Sequence, residues 1–70
     1  MDIKITPVKS SSIAGIGYDA KSSTLAVQFK GGATYRYSGV SAAAHQSLVS
    51  AKSIGKHFGT AFRGMKFEKW

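Results

Sequence analysis

Apolar and polar positions alternate most regularly through Thr24-Leu25-Ala26-Val27-Gln28-Phe29-Lys30, where the large residues Leu25, Val27 and Phe29 recur at every second position. A period of two places them on one face of a β-strand. Gly31-Gly32 follows as a hairpin signal, because glycine accepts the positive φ that primed turns require. The return strand is Ala33-Thr34-Tyr35-Arg36-Tyr37, with Tyr35 and Tyr37 on one face and Thr34 and Arg36 on the other. Upstream, Ile13-Ala14-Gly15-Ile16-Gly17-Tyr18 reads as a further strand whose two glycines mark a bulge or a close backbone approach. Asp19-Ala20-Lys21-Ser22-Ser23 supplies the turn chemistry between these two strands. Three strands joined by short turns predict an antiparallel meander. Ahead of them, Ile3, Ile5 and Val8 predict a short edge strand or packing arm, with Pro7 barring a central ladder position.

After Gly39 the period changes. Ser41 is placed to cap a helix over 42–51, with Ala44, Leu48 and Ala51 on one stripe. Ser53 opens a second helix in which Ile54, Phe58, Ala61 and Phe62 share the inner face, and Gly64 supplies its stop. The tail Met65-Lys66-Phe67-Glu68-Lys69-Trp70 alternates aromatic and charged residues and predicts a last short strand or a docked arm. The expected fold is therefore α+β: an antiparallel three-stranded β-meander followed by two short helices packed on one face, with residues 1–70 forming one domain. Leu25, Val27, Phe29, Leu48, Ile54, Phe58 and Phe62 are the expected core.

Composition narrows the function. A chain of 70 residues buries only about 60% of the surface its unfolded form exposes, which argues against a deep, enclosed catalytic cavity. There is no cysteine, so disulfide scaffolds, thiolate zinc sites and cysteine nucleophiles are excluded together. Two histidines and three acids, Asp2, Asp19 and Glu68, are too few for most acid–base or metal constellations. His45 and His57 fall on different predicted helices, without a carboxylate at ligand or triad spacing, and read as packing residues. No enzyme activity, metal or cofactor is expected. The apolar stretches are too interrupted for a transmembrane helix, and the N-terminus lacks the features of a signal peptide, so the expected location is the cytoplasm. A membrane is not an expected partner. Ten Lys and Arg against three acids give a net charge of +7 and a pI near 10.1, which points to an anionic partner, nucleic acid first.

Motifs refine that reading without completing it. Gly55-Lys56-His57 fails as a phosphate-binding loop, because the upstream glycine is Ser50 and His57 stands where Ser or Thr would hold magnesium. Lys30-Gly31-Gly32-Ala33-Thr34-Tyr35-Arg36-Tyr37 overlaps the RNP1 string of RNA-recognition motifs in its Lys, Gly, Ala and final Tyr, but glycine replaces an aromatic and the chain is too short for that fold. The candidate nucleic-acid-binding set is Arg36, Lys52, Lys56 and Arg63 with Tyr35 and Tyr37, combining cations for phosphates with rings for bases. If the tyrosine face meets the helices, the rings are core and only Arg36 is exposed; if not, they form a stacking platform. The first of these is favoured. The helix start Ser53-Ile54-Gly55-Lys56 offers free amides to a phosphate, which keeps a small-nucleotide binder open.

Taken in order, Ser11-Ser12-Ile13, Ile16-Gly17-Tyr18-Asp19, Thr24-Leu25-Ala26-Val27-Gln28-Phe29, Gly32-Ala33-Thr34-Tyr35-Arg36-Tyr37 and Ala51-Lys52-Ser53-Ile54-Gly55-Lys56-His57-Phe58, with Arg63 beyond, resemble the KTSC domain over nearly the whole chain. That family takes its name from the C-terminus of some lysyl-tRNA synthetases and also occurs as stand-alone small proteins of bacteria and phages. The resemblance implies RNA binding, which has been proposed for the family from its synthetase setting. Here Ser41 stands where the family commonly has Pro, and His45 and His57 where it commonly has aromatics, which makes any inherited stacking surface more polar. The expected function is a non-enzymatic module binding RNA or single-stranded nucleic acid. The alternative is a protein-interaction module, for example a phage-encoded factor acting on a host protein, centred on Trp70, Phe67 and Tyr18.

Overall fold

The computed structural model describes residues 3–62 and 64–70. Arg63 of the candidate set lies outside the described residues. The chain runs β1 (Thr6–Pro7), β2 (Ile13–Asp19), β3 (Thr24–Phe29), β4 (Thr34–Tyr37), α1 (Ala42–Val49), α2 (Ile54–Ala61) and β5 (Phe67–Lys69). The predicted meander is present as β2, β3 and β4, but the sheet has five strands, not three, in the order β1-β2-β3-β4-β5 with every neighbour antiparallel. Both additions are edge strands. Pro7 sits at the outer edge, where its missing N–H breaks no central ladder. β5 closes the other edge after the chain has passed through both helices.

Local chemistry fixes each connection. Asp19 organises the β2–β3 turn by accepting from the Lys21 N–H at 3.2 Å and the Ser22 hydroxyl at 2.8 Å. In the β3–β4 turn the Gly32 N–H donates to Phe29 O at 2.9 Å, and Gly32 takes φ +99° while Gly31 stays out of the positive region. This departs from the primed two-residue turn: one left-handed residue closing a four-residue turn is the pattern of a bulge-type hairpin, in which a single glycine suffices. Ser41 caps α1 by accepting from Ala44 N–H at 3.1 Å, and Ser53 caps α2 by accepting from Lys56 N–H at 3.4 Å.

The helices cover one sheet face. Ile13, Ile16, Leu25, Val27 and Tyr37 from the strands meet Val40, Leu48, Ile54 and Phe62 in one cluster. Of the expected core, Phe29 and Phe58 are only partly buried and pack against its margin. Tyr37 replaces them at the centre, 7% exposed, with edge-on contacts to Phe58 and Phe62. The opposite face is covered at one end by the N-terminal arm. Ile3 is 7% exposed and lies over Gly17, where a Cβ would meet the Ile3 Cγ2 at 2.7 Å and the Lys4 carbonyl. The ladder shifts register between Ile13 and Gly15, so the glycines mark both a bulge and a close approach. Among the described residues no helix is long and apolar enough to cross a membrane.

Candidate nucleic-acid interface

The five candidate residues that the structure describes, Tyr35, Arg36, Tyr37, Lys52 and Lys56, do not share a surface. Tyr35 and Tyr37 point toward the helices, and Arg36 between them points to the opposite face, as strand alternation requires. Tyr37 is a core residue. Burial raises its phenol pKa, and the neighbouring Tyr35 adds to the shift. Tyr35 packs edge-on against Phe29 and Phe67, half-buried at the rim. Tyr37 offers no free face of the kind base stacking needs, and Tyr35 is only part-open. Lys52, in the connection between the helices, and Lys56, on α2, are exposed on the helical layer. They are separated from Arg36 by the sheet itself. The start of α2 is also partly occupied: Ser53 takes the Lys56 amide, and a Cβ at Gly55 would meet the Ser12 hydroxyl at 2.8 Å.

What the structure brings to Arg36 is the C-terminal segment. Sheet register sets Arg36 opposite Glu68 and Tyr37 opposite Phe67. Arg36 Nη2 donates to Glu68 Oε2 at 3.3 Å, and its guanidinium carbon lies 5.9 Å from the centre of the Trp70 ring. Trp70 is anchored by its N–H to Thr34 O at 2.9 Å, which continues the β4–β5 pairing by one residue. Phe67 and Trp70 are the large apolar residues left most open, at 57% and 46% exposure. Lys66 and Lys69 alternate with them and are likewise exposed. An open depression of about 480 Å³ beside the strand is lined by Ser38, Met65, Lys66, Phe67 and Glu68, among others.

This architecture matches a known family. The KTSC domain family model matches residues 9–67. The chain belongs to the KTSC domain family. An uncharacterized protein of Stutzerimonas stutzeri is 37% identical over 68 residues, covering 97% of this chain and 96% of its own. A protein of Tsukamurella paurometabola is 44% identical over 50 residues, covering 71% and 75% respectively. The crystal structure of a KTSC domain protein from Yersinia pestis superposes with a TM-score of 0.91 at 39% identity and covers 99% of both chains.

In this KTSC domain a second aromatic pair lies between β2 and α1. Tyr18 and His45 stack at 4.7 Å with planes 9° apart, and the Tyr18 hydroxyl donates to Val40 O at 2.5 Å. His45 therefore does an aromatic's work at its position. Burial lowers its pKa by disfavouring the imidazolium. Sequence reasoning placed Trp70 and Phe67 only in the protein-interaction alternative and left Glu68 without a role. The signal for all three was the tail's own alternation, Phe67-Glu68-Lys69-Trp70. It sets Glu68 and Trp70 on Arg36's face of the sheet, and Phe67 on the face of Tyr35 and Tyr37, once β5 pairs with β4.

Proposed function

We propose that this KTSC domain is a non-enzymatic module that binds RNA or single-stranded nucleic acid along β5, with Arg36, Lys66, Lys69, Phe67 and Trp70 as its contacts. The observation that carries the reading is the exposure of Phe67 and Trp70 along one short edge strand flanked by Lys66 and Lys69, with Trp70 on the sheet face of Arg36 and Phe67 on that of Tyr35 and Tyr37. Exposed rings on an otherwise well-packed domain need an occupant, and a nucleobase stacked on an aromatic side chain gains about 1–3 kcal/mol. The alternating lysines and the net charge of +7 supply the electrostatic half of such a site. Lys52 and Lys56 add long-range attraction from the far side and no direct contact.

Fluorescence anisotropy of a labelled single-stranded RNA at two salt concentrations tests this. With about four phosphate contacts the log–log salt slope is near −3. Trp70→Ala weakens binding at least fivefold or so, the lower end of the stacking range, whereas the Lys52→Ala, Lys56→Ala double variant keeps the complex. No binding at low salt refutes the reading, because a chain this basic must show at least the nonspecific term. A second reading is favoured by one observation: β5 is an edge strand, whose outer N–H and C=O groups are free to pair with an added strand. A protein partner docked there would bind with a shallow salt slope and would be lost on Lys69→Pro, which removes an outward-facing N–H while the Glu68 and Trp70 N–H groups that face β4 remain.

A further inference from the structure

Arg36 carries a guanidinium that is only half used. Its side chain is 29% exposed, and Nη2 reaches Glu68 Oε2 at 3.3 Å, longer than a well-formed charge-assisted bond. Nε, shielded from solvent, has no acceptor among the described residues. Nε–H and the adjacent Nη2–H point the same way, and together they form a fork that fits two oxygens of one phosphate or carboxylate. Glu68 fills one prong with one oxygen and leaves the other unmet. The Glu68 side chain is 77% exposed, and an ion pair that open is weakly held. A buried donor without an acceptor is, by contrast, costly. Both facts favour exchanging Glu68 for an anion that bridges the two prongs. Trp70 lies over the same guanidinium, its ring centre 5.9 Å from Cζ, and is held beyond β5 by its main-chain bond to Thr34.

We infer that Glu68 is a placeholder in a phosphate seat: a phosphodiester of the bound single strand displaces it, takes Nε and Nη2 of Arg36 together, and leaves Trp70 to stack on the adjoining base. The inference rests on the nucleic-acid reading above and adds to it the residue that limits affinity. Glu68 competes in cis for the arginine that the ligand needs, so the wild-type protein binds more weakly by the strength of the ion pair that the phosphate must break.

The test compares wild type, Glu68→Gln, Arg36→Lys and the double variant against the same labelled RNA. Lysine keeps the charge and the fold but has no fork. Glu68→Gln tightens binding about two- to fivefold, the strength of an exposed ion pair expressed as a ratio. The salt slope stays near the wild-type value, because the same phosphate contacts form in both complexes. In the Arg36→Lys background the gain vanishes. The same gain in both backgrounds overturns the inference, because it would then reflect only the loss of a negative charge; so does no gain at all. In nitrogen–proton correlation spectra the Arg36 Nε–H resonance shifts as RNA saturates the protein, and a resonance that stays fixed under saturation also overturns it. Failure of all four proteins to bind at low salt refutes the nucleic-acid reading first, and the placeholder with it.

Discussion

Replacing Gly17 by alanine tests how the uncovered sheet face is closed. A Cβ at this position would stand 2.7 Å from the Ile3 Cγ2 and on the Lys4 carbonyl. Backbone cannot yield as a side-chain tip can, so the arm must lift. Lifting exposes Ile3, now 7% exposed, at a cost of about 1.5–3 kcal/mol. Alanine in a strand recovers about 0.5 kcal/mol relative to glycine, which leaves a net loss of about 1–2.5 kcal/mol. A domain of 70 residues has about 4–10 kcal/mol in all, and the corresponding fall in Tm is about 4–20 °C. Thermal and urea unfolding followed by circular dichroism read this directly. Ile3→Ala supplies the decisive cross: if Gly17→Ala acts by displacing the arm, the double variant loses scarcely more than Gly17→Ala alone. Full additivity, or a Gly17→Ala protein as stable as wild type, refutes the account. Gly59→Ala runs the other way. Gly59 lies inside α2 with open space around its Cβ position, so alanine there stabilises by up to about 1 kcal/mol through helix propensity.

Ser41→Ala removes the acceptor for the Ala44 amide and costs about 1 kcal/mol, measurable as a Tm lowered by about 4–8 °C. His45 gives the pH dependence. Its folded pKa lies below the ordinary 6.5, so on acidification the unfolded chain takes up the proton first. Stability contributed at neutral pH is therefore lost as pH falls below 6.5 and levels off once folded His45 is itself protonated. His45→Phe keeps the stack on Tyr18 and removes this component; the Tm difference between variant and wild type should widen between about pH 7 and 5.

The middle of the fold was legible because its signals are local. Leu25, Val27 and Phe29 alternate within one strand, and the caps Ser41 and Ser53 lie next to the helices they start. β1 and β5 carry no such signal. They are two and three residues long and wholly exposed, and pairing alone defines them: Arg36 meets Glu68 only because the chain returns through two helices to the far edge. The same distance hid the cluster that Glu68 and Trp70 form around Arg36. Spacing grouped Arg36 with Lys52 and Lys56 as a basic set, while the fold assigns them to opposite layers. The tyrosines allowed two readings, core or platform with core favoured, for a related reason. Tyr-x-Tyr shows that two rings share a face, and only the helices Phe58 and Phe62 belong to show which one.

That division of the sheet also accounts for where a ligand surface remains. The helices use the face of Leu25, Val27 and Tyr37. On the other face the arm over Gly17 closes the β1–β2 end. Arg36 is a cation that the fold holds in place and leaves part-open, its side chain 29% exposed and its Nε shielded: its neighbours across the ladders are the small Ala26 and Glu68, itself too exposed to hold it firmly. A surface lysine spends side-chain entropy on meeting a phosphate, whereas an arginine already fixed between two strands and beneath an indole spends little. Binding through β5 therefore predicts an unequal partition of the basic residues. Losing Arg36 should cost far more affinity than losing any single lysine, and charge-to-alanine variants at Lys21, Lys52 and Lys56 should move the salt slope while leaving the complex intact.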